Sequence, residues 1–290
     1  MTSKKDPTER DFITGHIVLL FIILLCITGC EDDYLTINAF EAEGTTIDYN
    51  LSDTSATLNV AVVSLQASKQ KNDNIKTILE YIESIANSNP GVELISFGES
   101  MTGWYAGTPS YISEIAEPIP GQFTDSLAFY AKKHGVYISI GLPEKKDGRL
   151  YNSLVVINPD GEIIAVHRKN TLTPEDESAG YSPMRNANVI YIHEFRAGLM
   201  ICADVNGLWL TKQYIDADID IILSAFASPI GLPSFNLISR RMDAWQIFPN
   251  RYGKENGDEY SGLIYISDPA GNIVKHHIGS VSYFTYTIAK

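Results

Sequence analysis

The body of this 290-residue chain has a single thiol, because two of its three cysteines, Cys26 and Cys30, fall within the first 30 residues. Cys202 alone cannot build a disulfide framework, so the fold must rest on its core. Basic residues are also scarce: 22 Lys and Arg face 35 Asp and Glu, for a net charge of -13. That balance excludes a nucleic-acid binder and argues against adhesion to anionic lipid through surface charge. No G-x-G-x-x-G loop and no Walker motif occurs, and the histidines are scattered apart from His276-His277. With no metal-ligand spacing and no phosphate loop, neither a metal nor any other cofactor is expected. The apolar run Ile17 to Ile27 has only eleven residues, against the about 20 that a membrane-spanning helix needs. What is present is ordinary globular material, 44% hydrophobic and 20% charged, enough for one large core.

Lys4, Lys5 and Arg10 precede the apolar run, and Ile27-Thr28-Gly29-Cys30 closes it with small residues before a cysteine. This arrangement resembles the signal peptide and lipobox of bacterial lipoproteins. The resemblance implies that residues 1–29 are removed and that Cys30 becomes a lipidated N-terminus. Residues 30–56, polar and without periodicity, read as a tether. Residues 57–290 then form the domain, held by its lipid at a membrane and lying outside the cytoplasm, in a periplasm or on a cell surface. An uncleaved anchor helix over 12–30 is the alternative.

From residue 57 onward, short apolar strands alternate with helical patterns. Strands are predicted at 57–65, 92–97, 135–141, 154–158, 163–168, 189–193, 197–201 and 219–224, and helices from about Asp73 and over 125–134. Pro159-Asp160-Gly161 marks a hairpin turn, and 260–266 with 273–277 a closing hairpin around Asp268-Pro269-Ala270-Gly271. The pattern predicts a mixed sheet covered by helices in one domain.

Three chemically able residues stand at strand ends: Glu99 after 92–97, Lys169 after 163–168, and Cys202 after 197–201. Ligands in α/β folds gather at the carboxyl ends of strands, so the three can converge on one pocket. Trp104, Tyr105 and Trp209 lie near enough in sequence to wall it. Each residue alone has a plainer reading: a solvated turn acid, a solvated basic pair with Arg168, and a small buried hydrophobe.

Taken in order, glutamate, lysine and cysteine resemble the catalytic residues of the nitrilase superfamily of carbon-nitrogen hydrolases, over the whole of 57–290. Leu94 to Glu99 is similar to its first motif, and Tyr151-Asn152-Ser153 through Pro159-Asp160-Gly161 to Lys169-Asn170-Thr171-Leu172 to its lysine motif. Gly198 to Asp204 is similar to its cysteine motif, and Asn250-Arg251-Tyr252-Gly253 to its closing segment. The resemblance implies a nitrilase-like α-β-β-α sandwich and a thioester acyl-enzyme. Glu99 would be the base and Cys202 the nucleophile, while Lys169 and the backbone N–H of Ala203 would hold the oxyanion. A second glutamate after the lysine, assigned by spacing to Glu177 rather than Glu175, would orient the substrate, with Trp104 beside it. An amide is the expected substrate, and the family leaves room for a homodimer. A nitrile hydrolase using the same residues, or a catalytically silent surface module, are the alternatives. Lys169→Ala is expected to keep the fold and abolish turnover. Two departures stand out: Gly98 where a proline commonly precedes the glutamate, a more flexible support, and Val205-Asn206-Gly207-Leu208-Trp209 in place of an aromatic-Pro-Glu or aromatic-Pro-Arg run.

Overall fold

The computed structural model describes residues 56–229 and 233–290. By its contacts the chain divides into Met1–Ala42 and Glu43–Lys290. The expected signal peptide and lipobox, Cys30 and all of the expected tether but Ala56 lie outside the described residues. None of the helices among the described residues is long and apolar enough to cross a membrane.

The first strand shows how the layers arise. In β1 (Thr57–Leu65) side chains alternate between the two faces of the sheet. Leu58, Val60 and Val62 enter one apolar cluster, and Ala61, Val63 and Leu65 another. The second cluster is closed by α1 (Lys71–Ser88), through Ile78, Ile82 and Ile85, after which come β2 (Leu94–Ser96) and α2 (Pro109–Ile115). It is closed also by α3 (Gln122–His134), through Phe123, Leu127 and Ala131. Spacings of three and four residues put these side chains on one helical face.

The long hairpin β3 (Tyr137–Lys146) and β4 (Arg149–Ile157) follows, and then β5 (Ile163–Arg168). Gly161, at a φ of 82°, makes the turn between β4 and β5, a backbone state that glycine reaches without a side-chain clash. After the short α4 (Pro174–Ser178) the chain enters a second sheet, with β6 (Val189–Ile192), β7 (Phe195–Ile201), α5 (Leu208–Asp216) and β8 (Ile221–Ala225). It continues through α6 (Leu237–Met242), β9 (Trp245–Phe248), β10 (Asn250–Glu255), β11 (Asp258–Ser261), β12 (Ile264–Ser267), β13 (Ile273–His277) and β14 (Ser282–Ala289).

One sheet runs β11-β10-β1-β2-β3-β4-β5 with β14 also paired to β1, and the other runs β13-β12-β9-β8-β7-β6. Leu199 and Ile201 of β7 and Leu223 of β8 meet Leu58, Val60 and Val62 of β1 between the sheets. Met200 and Ile222, on the opposite pleat, pack outward with Leu210 and Tyr214 of α5 and Ile238 and Met242 of α6. The architecture is the expected α-β-β-α sandwich. The expected strand over 260–266 divides, since Tyr260 and Ser261 end β11 in one sheet and Ile264 begins β12 in the other. Gly262, at a φ of 71°, sits at this crossing.

Candidate active site

The carboxyl ends of β2 and β5 in one sheet face that of β7 in the other, and this junction holds the three expected residues. Glu99 follows β2 on a tightly enclosed turn. Its backbone N–H donates to Phe226 O at 3.1 Å, and Gly141 N donates to Gly98 O at 3.0 Å. A Cβ on Gly98 would come within 2.9 Å of Phe226 O, and one on Gly141 within 2.6 Å of Glu99 Cα. Gly98 is thus a close-packed position rather than a flexible one, and the missing proline has a steric cause.

Lys169 follows β5 and is wholly buried. Its ammonium lies 2.8 Å from Glu99 Oε1 and 2.7 Å from Asp176 Oδ2, with Tyr105 Oη at 3.4 Å. Asn152 Nδ2 donates to Glu99 Oε1 at 2.7 Å and approaches Asp176 Oδ1 at 3.3 Å. Glu99 Oε2 is buried and accepts no hydrogen bond. Burial raises the Glu99 carboxyl above its usual range against the opposing pull of Lys169. Desolvation alone would lower Lys169, but Glu99, Tyr105, Cys202 and Asp176 together hold it well above the ordinary lysine range. The ammonium is therefore a fixed cation.

Cys202 ends β7 and starts a 3-10 turn over Cys202–Asn206. Its φ of 42° is left-handed, costly for a residue with a side chain and a recurring feature of nucleophiles on sharp strand-to-helix turns. Burial and then Glu99 push the thiol up, while Lys169 and a hydrogen bond from the Ala227 backbone pull it down. The resting sulfur is a thiol that requires a base. The following Asp204 ties this turn to the lysine loop. Oδ1 accepts from Asn170 N at 2.9 Å and Thr171 N at 2.8 Å, while Oδ2 accepts from Ile201 N at 3.0 Å and pairs with His167 Nε2 at 3.0 Å. Ala203 lies between Cys202 and Asp204 on the same turn.

The second acid differs from the expectation. Glu177 is exposed, while Asp176 is buried against Lys169. The reason is local: Thr173 caps α4, and Asp176 Oδ2 at the third helical position in turn accepts from Thr173 N at 2.9 Å. That reciprocal cap points Asp176 back toward Lys169, and the next residue turns about 100° away. The Thr-Pro-Glu-Asp run was the legible signal for it. Trp104 is also displaced from the cluster: it packs against Tyr111, with Lys69 over its ring at 5.6 Å. The adjacent Tyr105 reaches in instead, donating to Asp176 Oδ1 at 3.1 Å.

Two variants separate the acids. Asp176→Asn removes one partner of a buried ion pair and should cost about 3 kcal/mol. Glu177→Gln, at the surface, should stay within about 0.5 kcal/mol of the parent. Urea denaturation of both proteins checks this, and equal losses would refute the placement.

The site is thus a thiol at a strained strand end, grouped with a buried lysine and two buried carboxylates in an α-β-β-α sandwich. Comparison with known proteins gives this class a family. The carbon-nitrogen hydrolase family model matches residues 59–276. Bovine omega-amidase NIT2 is 31% identical over 196 residues, 64% of this chain and 70% of that protein. The human omega-amidase is 30% identical over 192 residues, 62% and 68% of the two chains. Among solved structures, Nit3 of Saccharomyces cerevisiae, from the nitrilase superfamily, superposes with a TM-score of 0.71 at 21% identity over 80% of this chain and 90% of its own. The carbon-nitrogen hydrolase superfamily protein XC1258 of Xanthomonas campestris gives 0.71 at 18% identity, over 80% and 91%. The chain belongs to the carbon-nitrogen hydrolase family of the nitrilase superfamily. It is a hydrolase acting on carbon-nitrogen bonds.

Proposed function

We propose that the protein hydrolyses amides through a thioester on Cys202, with Glu99 as base and Lys169 as oxyanion cation. The observation that carries this reading is the division of labour on Glu99: Oε1 is held by Asn152 and Lys169, and Oε2 is left unpartnered. A carboxylate fixed by one oxygen and free at the other, next to a protonated thiol, is set up to take a proton. Glu99 accepts the Cys202 proton as sulfur attacks the amide carbonyl carbon. The carbonyl electron pair moves to oxygen, which faces Lys169 and the Ala203 N–H. Of the contacts of Lys169 Nζ, that to Tyr105 Oη is the longest at 3.4 Å, and its proton is the one free to turn to the oxyanion. Collapse of the intermediate breaks the C–N bond, and the nitrogen leaves as ammonia or an amine carrying the Glu99 proton. Glu99 then deprotonates a water, which cleaves the thioester to the carboxylic acid and restores the thiol. The omega-amidase relatives favour an amide over a nitrile.

The test is ammonia and amine release across small amides, ureides and nitriles, with Cys202→Ala alongside. Release from amides that vanishes in Cys202→Ala is expected. Silence on every amide, or release that survives in Cys202→Ala, would refute the proposal.

We propose also that the enzyme is a lipoprotein facing away from the cytoplasm. The support is the lipobox at Cys30, with three basic residues before the apolar run and Glu31, Asp32 and Asp33 after it. Fatty-acid labelling should mark the parent chain and miss Cys30→Ser; equal labelling of both would remove the claim. A homodimer is part of the same reading, supported by the family resemblance and by Leu208 and Ile215, exposed seven residues apart on α5.

A further inference from the structure

The mechanism above leaves unused a fully buried ion pair behind the Glu99 turn. Arg251 is the largest fully buried side chain among the described residues. The pairing of β1 with β10 sets Arg251 opposite Leu65, and its guanidinium reaches under the loop that leaves β2. Nη1 donates to Glu99 O and to Ser100 O, both at 2.8 Å. Nη2 donates to Gly103 O at 2.5 Å and to Glu255 Oε2 at 2.6 Å. Nε donates to Glu255 Oε1 at 2.9 Å. All five guanidinium protons are thereby placed, three on one short loop and two on one carboxylate.

Glu255 completes the grip from the other side. Besides Arg251 it accepts from Ala67 N at 3.4 Å, and the nearby Tyr105 backbone helps to keep it charged. The pair therefore holds carbonyls at the start and in the middle of the Glu99–Tyr105 loop. That loop carries the carboxylate of Glu99 and the phenol of Tyr105 into the cluster. Ser100 within it has a φ of 53°, a state that needs support from its surroundings. A buried charge pair is seldom retained for stability alone, since apolar residues of similar volume fill the space as well or better.

We propose that the Arg251–Glu255 pair is a positioning device, which fixes the backbone of the Glu99–Tyr105 loop and so aims the free Oε2 of Glu99 at the Cys202 sulfur. The inference rests on Glu99 being the base. Around that carboxylate the charged and titratable groups are Lys169, Asp176, Tyr105 and Cys202, with the buried phenols of Tyr181 and Tyr260 further out. Arg251 touches only its backbone, so it acts on geometry and on how well the carboxylate is kept from water.

The test uses Arg251→Lys, which keeps the charge but loses the planar fork, and Glu255→Gln, which keeps an acceptor but loses the charge. Each is assayed for amide turnover at a temperature where circular dichroism shows it folded. Arg251→Lys should lower kcat about 10- to 100-fold with KM little changed, because a misaimed base spoils the reaction more than binding. Glu255→Gln should show a smaller loss of the same kind. A second readout needs no substrate turnover: the pH dependence of Cys202 alkylation by iodoacetamide. The parent should show an acid-side inflection that Glu99→Gln lacks. Relaxing the loop admits water, so Arg251→Lys should move it down by about 0.5 to 1 pH unit.

Folded variants with the parent's kcat and inflection would make the pair merely structural and overturn the proposal. An inflection shared by the parent and Glu99→Gln would overturn it as well. If the parent hydrolyses no amide, the functional reading fails separately, and the alkylation shift still decides. If Arg251→Lys does not fold, Glu255→Gln decides on the same two readouts.

Discussion

Replacing Lys169 with methionine is expected to cut amide hydrolysis by at least about 1,000-fold and to cost the fold about 3–5 kcal/mol. The first effect follows from the proposed role of Lys169 as the cation beside the forming oxyanion. The second follows from geometry that primary structure does not display. Lys169 Nζ stands 2.8 Å from Glu99 Oε1 and 2.7 Å from Asp176 Oδ2, and all three side chains are buried. Without it two carboxylates share a dry site, and each must stay charged at high cost or bind a proton. The expectation that Lys169→Ala keeps the fold is revised accordingly: activity and stability should fall together. The sign with pH also follows. In the variant Glu99, already raised by burial in the parent, would lose the opposing pull of Lys169 and titrate further above its unfolded value. The native state then binds more protons than the unfolded one, and stability is greatest at acid pH and declines as pH rises through that window. Urea denaturation of Lys169→Met at pH 5 and pH 8, with ammonia release, measures both. Parent-like stability at pH 8 would refute the buried-pair argument, and parent-like turnover would refute the oxyanion role.

Glu99→Gln should reduce turnover about 100- to 10,000-fold while leaving the loop in place. The amide oxygen of glutamine can still accept from Asn152 and Lys169, which reach Glu99 Oε1 at 2.7 and 2.8 Å. What disappears is the basic oxygen. As the proposed base, Glu99 would work ionised, and burial raises its carboxyl. The kcat/KM profile should therefore fall on the acid side at a pH above the ordinary carboxylate range, as Glu99 takes up a proton. Glu99→Gln should lack that limb and keep only a slow rise toward high pH, where the thiol ionises by itself against the burial that pushes it up. A profile unchanged in shape would assign the proton to another group.

Much of this site was legible because strand ends in α/β folds are marked in sequence. Glu99, Lys169 and Cys202 each close an apolar run, and such runs become buried strands whose tips meet. Asp176 was missed because spacing along a loop does not say which of three consecutive acidic residues turns inward. That was settled by the cap that Thr173 forms with Asp176. Tyr105 and Trp104 are neighbours, and nothing in their order says which ring faces Lys169. Asn152 lay in the Asn-Ser pair of the lysine motif, yet its contact with Glu99 spans 53 residues of sequence. Strands β9, β10 and β14 escaped prediction because they are short or border on polar stretches, and their pairing to distant strands defines them.

The order of apolar and polar residues, by itself, determined a mixed sheet, the helices that cover it and three candidate side chains at strand ends. Those features depend on periodicity and on which residues stand at strand ends, both local properties. The second sheet layer and the proposed roles of those residues came from the family resemblance. Only the tertiary structure decided that Gly98 and Gly141 must lack side chains, that Asp176 rather than Glu177 pairs with Lys169, and that Arg251 grips the loop behind Glu99. Each of these is a contact between segments far apart in the chain or between a helix cap and a buried charge. Such contacts follow from where whole elements settle in the packed fold.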